Sequence, residues 1–266
     1  MVNFMKINYF KAACLFVCVS VSGIIHAQTQ DSTNPIAQIT NEWKFSLTPY
    51  AWLPGISTEA PLPQTNSSSD VTAGDVLKHL SGAAMLSGQA RYGKWGLLAD
   101  VAHAELTDEH VRGDGILSSS SKAAIKLTTF TGAVSYNVLH EPQLSIDTLV
   151  GVRTVNVKTD WHIDFQAIDR DGISLSKRAR ATDPVIGIKG RSRIQSTNWY
   201  IPFYFDVGGQ SGKTDMTWQG LIGIGKAYPW GDVMLGYRAL YYDMKAGEPL
   251  QKTKLGGFNF GVGFNF

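Results

Sequence analysis

Apolar and polar residues alternate with a period of two along most of the chain beyond residue 40. The last nine residues, 258–266 (FNFGVGFNF), show the pattern most clearly: Phe and Val occupy one face, whereas Asn and Gly occupy the other. A period of two predicts a β-strand rather than a helix. Large apolar groups on one face and small or amide groups on the other are typical of a strand with lipid outside and a crowded polar lumen inside.

About ten segments carry this alternation, and several reach the 9–11 residues that a tilted strand needs to cross a bilayer. Tight turns, as at 93–94, alternate with longer loops, as at 54–81, where residues 75–80 predict one helical turn. We therefore predict an all-β fold, a closed antiparallel transmembrane β-barrel of about ten strands with short periplasmic turns and longer extracellular loops. Counts of eight or twelve strands also fit. The predicted strands are 41–53, 82–93, 95–107, 122–138, 143–165, 180–195, 198–210, 214–228, 232–244 and 253–266.

The N-terminal segment has the layout of a secretory signal peptide. Lys6 and Lys11 precede an apolar stretch over 12–25, and the small residue Ala27 marks the expected cleavage position. The apolar stretch is too short for a spanning helix, which needs about 20 residues. We predict a signal peptide at 1–27, a polar lead-in at 28–40 and the barrel domain at 41–266. Cleavage would remove both cysteines and leave equal numbers of basic and acidic residues.

Composition excludes several classes of protein. Charged residues make up 17% of the chain, below the roughly 25% of soluble domains, whereas aromatic residues reach 11%. This profile excludes a disordered chain, which needs low hydrophobicity and high net charge. Two cysteines do not make a disulfide scaffold, and a net charge of +2 gives no reason to expect nucleic acid as a partner.

Most charged strand residues fall on the predicted lumen face. Seven are basic and three are acidic, and each must be paired or hydrated because a Lys or Arg facing lipid at the midplane costs about 2–4 kcal/mol. One interpretation is a network of ion pairs that plugs a narrow barrel; the other is a narrow anion-favouring pore. The predicted lumen charge network consists of Lys44, Arg91, Asp100, Asp147, Arg153, Lys189, Arg191, Arg193, Asp206 and Arg238.

Most tryptophans lie at predicted strand ends, where membrane proteins place interfacial anchors. Stacking against carbohydrate is an alternative for Trp52 and Trp161. The predicted interfacial anchors are Trp43, Trp52, Trp95, Trp199, Trp218 and Trp230.

Asp160 and His162 are the candidate catalytic residues of an enzyme alternative. They resemble the Asp-x-His element of the omptin outer-membrane proteases, in which a histidine polarised by a carboxylate would activate water. That chemistry also needs an acidic pair across the barrel mouth, for which Asp108 and Glu109 are the candidates. We expect no metal site and no cofactor, since neither H-E-x-x-H nor nucleotide-binding glycine motifs occur. We therefore expect a non-enzymatic protein.

Phe264 and Phe266, on a strand of alternating aromatics, resemble the C-terminal signal by which the barrel assembly machinery recognises outer-membrane proteins. Segments 48–56 (TPYAWLPGI), 93–100 (GKWGLLAD) and 236–243 (GYRALYYD) are similar to a group of poorly characterised proteobacterial outer-membrane β-barrel proteins. The resemblance covers most of 43–266 and implies fold and location rather than activity.

The pattern and the resemblance together predict an integral outer-membrane β-barrel of a Gram-negative bacterium, exported by its signal peptide and acting as a monomer. We expect a structural or interaction role, with a small-solute pore and an omptin-like or lipid-modifying enzyme as alternatives. The expected partners are outer-membrane lipid, lipopolysaccharide and, during biogenesis, the barrel assembly machinery.

Overall fold

The computed structural model describes residues 33–59, 68–112, 119–165, 173–210, 212–245, 248 and 250–266. The predicted signal peptide lies outside the described residues. The elements are β1 (Trp43–Glu59), β2 (Ser68–Val71), α1 (Ala73–His79), β3 (Leu80–Tyr92), β4 (Trp95–Arg112), β5 (Ser119–His140), β6 (Leu144–Phe165), β7 (Ile173–Arg193), β8 (Trp199–Gly208), β9 (Thr214–Tyr228), β10 (Gly231–Met244) and β11 (Thr253–Asn265).

The described strands form one antiparallel sheet that closes into a barrel. From β3 to β11 each strand pairs with the next in the chain, and β1 pairs with both β3 and β11. The backbones of Phe45 and Phe266 exchange two hydrogen bonds of 2.9 and 3.1 Å, so the chain terminus takes part in the closing seam. The short strand β2 pairs only with the end of β1. Ten of the described strands therefore surround the lumen, as predicted.

The predicted strands correspond one to one with the ten barrel strands, but several are longer than predicted. β1 continues to Glu59, β4 continues to Arg112, and β7 begins at Ile173. All these additions lie at the loop side of the barrel, and β2 was not predicted at all. The predicted helical turn is the seven-residue helix α1, in which Thr72 accepts a hydrogen bond from the backbone of Asp75.

Thr72 and Lys78 hydrogen-bond the Asp75 carboxylate and lower its pKa, consistent with a capped helix start.

No helix in the described part of the chain is long and apolar enough to span a membrane.

The outer surface of the barrel is apolar through its middle. Large hydrophobic side chains on alternating positions point away from the lumen, and Phe258 reaches 70% exposure. Others that share this face are Leu97, Phe130, Val134, Val150, Val152, Ile186, Ile188, Ile222, Ile224, Leu235 and Phe260. Exposed apolar patches of this extent mark interaction surfaces, and a band that runs around a closed barrel is typical of contact with lipid.

Aromatic side chains border this apolar band. At the turn side, ring contacts join Trp43 to Tyr92 at 5.4 Å and Trp95 to Tyr136 at 4.9 Å, and Trp230 lies 5.4 Å from Tyr228. Trp199 is exposed at the same side. At the loop side, Trp218 stacks on Tyr241 at 6.0 Å.

The prediction that Trp52 is an interfacial anchor is wrong. It lies on the lumen face of β1 with only 3% exposure, and its indole Nε1 donates to the Arg238 carbonyl at 3.2 Å. Its even-numbered position shares the inward face with Lys44 and Tyr50, and β1 continues past it to Glu59, so Trp52 lies neither at a strand end nor against lipid. The Trp161 side chain lies outside the described residues.

Candidate functional site: the barrel lumen

The turn-side mouth of the lumen contains a cluster around Asp147. Its carboxylate forms an ion pair with Arg91 of β3 and lies 3.7 Å from Lys189 of β7. Asn137 of β5 donates to the same carboxylate at 2.7 Å. Four strands therefore meet at one buried acid, which accepts hydrogen bonds from Arg91 and Asn137 and lies within ion-pair distance of Lys189.

A second cluster at this mouth involves the N-terminal lead-in. Arg191 pairs with Asp232 at 2.7 Å and stacks over the Tyr200 ring at 4.5 Å. The same guanidinium lies 3.5 Å from the carbonyl of Pro35, and the adjacent Ile36 is only 3% exposed. Residues 35–36 thus lie against lumen-facing side chains instead of extending away from the barrel.

Arg238 links opposite walls near the middle of the lumen. This β10 side chain donates to Asp100 of β4 at 2.8 Å, to the Tyr50 hydroxyl at 2.7 Å and to Gln219 at 2.9 Å. Its guanidinium also lies 4.9 Å from the centre of the Trp52 ring. These contacts join β10 to β4 across the lumen, although neither strand neighbours the other in the sheet.

Arg153 is the second central cation, and its side chain has 0% exposure. It forms an ion pair with Asp206 of β8, and its other nitrogens lie 3.3 Å from the hydroxyls of Thr131 and Thr217. The Tyr204 hydroxyl donates to the same Asp206 carboxylate. A buried charge requires this degree of pairing, because desolvation costs several kcal/mol per ion.

Towards the loop side, apolar side chains form a buried cluster inside the lumen. Inward-facing residues of β1, β6, β7, β10 and β11 pack into one buried cluster, and Leu240 at its centre has 0% exposure. Side chains from β3 and β5 pack against it. The members are Trp52, Val155, Val157, Ala181, Leu240, Tyr242, Met244 and Leu255. This cluster was not predicted, since the alternation indicated a polar lumen throughout.

Glycines on the inward face make room for the side chains of the turn-side cluster around Arg191. A Cβ at Gly225 would lie 2.4 Å from the ring of Tyr200, the directly opposite residue on β8. A Cβ at Gly263 would lie 2.7 Å from Asp232. The paired glycines of β9 and β11 thus belong to crowded lumen positions rather than to a nucleotide-binding loop.

Lys44 and Arg193 are less central than the other predicted network residues. Lys44 is half-buried on the inward face at the start of β1. Arg193 lies at the end of β7 and donates to the carbonyl of Thr197 at 2.7 Å and to that of Ser196 at 3.2 Å, which stabilises the turn before β8.

Two lumen acids were missed from the sequence. Asp183 of β7 has 0% exposure and lies directly opposite Arg153 in register, and Asp232 pairs with Arg191. Both occupy inward-facing positions, so the alternation itself could have found them. They reduce the basic excess on which the anion-pore alternative depended, because five acids now face the seven predicted cations.

The predicted catalytic pair, Asp160 and His162, lies on the outward face of the barrel wall and not in the lumen. Asp160 accepts hydrogen bonds from Lys158 and Ser176, each at 2.7 Å, and His162 Nδ1 lies 2.7 Å from the Ser174 hydroxyl, all on the outward face. Asp108 instead lies on the inward parity of β4, 3.6 Å from His79 of α1. The side chain of Glu109 lies outside the described residues.

β4 and β6 are separated only by β5, so the acidic pair on β4 stands on the same wall and not across the mouth. This geometry does not assemble the arrangement that water activation would need. Among the residues that the structure describes, no group of three or more His, Cys, Asp or Glu could hold a metal ion.

No protein-family model matches the chain, and no curated protein matches it. Solved structures share the barrel architecture at low similarity. The outer membrane protease OmpT from Escherichia coli is 10% identical with a TM-score of 0.48, covering 88% of this chain and all of that one. The translocator domain of the autotransporter NalP from Neisseria meningitidis is 11% identical with a TM-score of 0.47, covering 89% and 92%.

The attachment invasion locus protein Ail of Yersinia pestis is 10% identical with a TM-score of 0.35, covering 85% of this chain and all of that one. Similarity at this level transfers no activity from any of these proteins, because unrelated functions share one fold.

Proposed function

We propose that this protein is an integral outer-membrane β-barrel with a closed lumen and a structural or interaction role. The apolar outer band between two aromatic borders supports the membrane location. From Trp230 to Tyr241 along β10, about 3.3 Å per residue and a tilt of about 40° give roughly 28 Å along the barrel axis. That height suits the hydrocarbon core of a bilayer, which is about 30 Å thick.

The apolar cluster that crosses the lumen is the observation that carries the closed-lumen proposal. An ion entering from either side would meet buried Trp52, Leu240 and Leu255, which offer it no hydration. Below that cluster, Arg153 and Arg238 each form an ion pair with an acid from another strand. The narrow anion pore is therefore the second candidate and not the first.

The loop side supports an interaction role. β5, β6 and β7 contain 22, 22 and 21 residues. With an axial rise of about 2.5 Å per residue in a tilted strand, each spans roughly 55 Å along the barrel axis. This length is well beyond a hydrocarbon core of about 30 Å. These strands would project from the membrane as a sheet whose outward face is polar and whose other face exposes Ile125 and Leu175. The barrel closes on itself through β1 and β11, so its ten strands form a continuous ring.

Planar-bilayer recording tests the closed lumen against the pore. The purified protein should insert without discrete conductance steps, and Arg191→Glu should remain silent as well. Discrete anion-favouring steps in the natural protein that reverse selectivity in Arg191→Glu would overturn the closed-lumen proposal and establish the pore. Separation of inner and outer membranes tests the location, and recovery in the soluble periplasmic fraction would contradict it.

A further inference from the structure

The outward face of β5, β6 and β7 changes its chemistry at one level. On the turn side of that level the exposed residues are apolar, as at Phe130 and Val152. On the loop side, the same outward positions carry Lys126, Lys158 and Arg178. The change marks the loop-side border of the apolar band, where the headgroups of a bilayer would contact the protein.

The register places these cations side by side. Lys126 lies directly opposite Lys158, Lys158 lies directly opposite Arg178, and Arg180 is the next outward position on β7. We name these four residues the outer basic row. Directly opposed side chains have Cβ atoms about 4.5–5.5 Å apart, and like charges in such pairs destabilise a sheet. Nearby anions would therefore stabilise this row of cations on adjacent strands.

The protein supplies only part of that negative charge. Glu105 forms an ion pair with Lys126 at 2.7 Å, and Asp160 forms one with Lys158 at 2.7 Å. Arg178 and Arg180 are exposed, and within the described ranges neither has an ion pair or hydrogen bond. Their outward direction follows from the buried Ala179 and Ala181, which alternate with them along β7.

The surroundings leave both guanidinium groups open to a ligand. β8 pairs with β7 only over Val185–Arg193, so at Arg178 and Arg180 the strand has a neighbour on one side only. Two outward positions on one strand lie about 6.6 Å apart, with room for an oxyanion between them. Guanidinium groups bind phosphate oxygens in a bidentate manner.

We propose that the outer basic row binds the phosphate groups of lipid A, the lipid anchor of lipopolysaccharide, in the outer leaflet. The inference rests on the proposed outer-membrane location with the long strands outside the cell. A phosphorylated glycolipid fits the site because its acyl chains would cover the apolar residues below while its phosphates reach the arginines above.

Native mass spectrometry of the full-length barrel released from detergent tests this inference, with bisphosphorylated lipid A and dephosphorylated lipid A as probes. The double variant Arg178→Gln/Arg180→Gln should weaken binding of the bisphosphorylated form by about tenfold or more, as expected for loss of charge-assisted bonds. The matched control is Lys226→Gln/Lys254→Gln, which removes two outward-facing cations elsewhere on the barrel and should change binding less than twofold.

Equal binding of both lipid A forms, or an equal loss in the two double variants, would overturn the inference. So would inorganic phosphate at equimolar concentration displacing the lipid, since that would make the row a site for free anions. Insertion of each variant into phosphatidylcholine vesicles is measured in parallel. Failure of the natural protein to insert contradicts the proposed function, whereas insertion without lipid A selectivity contradicts only this inference.

Discussion

Arg153→Met removes the cation from a fully buried lumen ion pair. The carboxylate of Asp206 would lose its charged partner while retaining its hydrogen bond from Tyr204. Directly opposite the substituted position, Asp183 is equally buried. The variant thus leaves two buried acids without the arginine that faces both of them.

The expected loss follows from this geometry. Breaking a buried ion pair by removing one partner costs about 3–5 kcal/mol of unfolding free energy, because the remaining charge is uncompensated. Adding Asp206→Asn to Arg153→Met should restore about 2 kcal/mol or more, since that carboxylate is then neutral. Lys213→Met serves as control, because its pair with Glu248 is partly exposed to solvent and should contribute about 0–1 kcal/mol.

Urea titration in lipid vesicles, followed by tryptophan fluorescence, measures these differences in unfolding free energy. We expect a large loss for Arg153→Met, partial recovery in the double variant and almost no change for Lys213→Met. A loss below about 1 kcal/mol for Arg153→Met would mean that water reaches Asp206, which would refute the claim of a dry, interlocked lumen.

Gly225→Leu should destabilise the barrel by more than about 2 kcal/mol, because the larger side chain overpacks the lumen. Gly220→Leu, on the lipid face of the same strand, should be nearly neutral. Thermal unfolding of the two variants measures the difference. Bromine-labelled lipids should quench a single tryptophan at Trp95 but not one at Trp52, and quenching of the latter would contradict its lumen position. Deleting Phe266 should lower the yield of assembled barrel on heat-modifiability gels, and an undiminished yield would separate the terminal residue from assembly and seam closure.

The membrane part of the fold could be predicted because lipid imposes a strict rule on each strand. Every second residue between the aromatic borders must be apolar, so the period of two locates ten strands within a few residues. Outside the bilayer both faces meet water and the rule no longer holds. This explains why the ends of β1 and β4, the start of β7 and the whole of β2 escaped prediction.

The lumen was less predictable because alternation tells which face a residue occupies but not its partner. Arg238 and Asp100 are 138 positions apart, and only closure of the barrel brings them together. Trp52 was also predicted wrongly. Its position near the end of the predicted strand suggested an interfacial anchor, although its even-numbered position on β1 places its side chain in the lumen. The apolar cluster around Leu240 also depends on which strands face each other across the lumen.

Single-cysteine accessibility along β11 tests the central claim of a lipid-facing, closed barrel most directly, with Cys14 and Cys18 replaced. Cysteines at Phe258 and Phe260 should react with a lipid-soluble maleimide in vesicles, and a cysteine at Asn259, which is 1% exposed in the lumen, should resist both that reagent and a small water-soluble methanethiosulfonate. Rapid reaction at position 259 with the water-soluble reagent would show a hydrated passage and contradict the account.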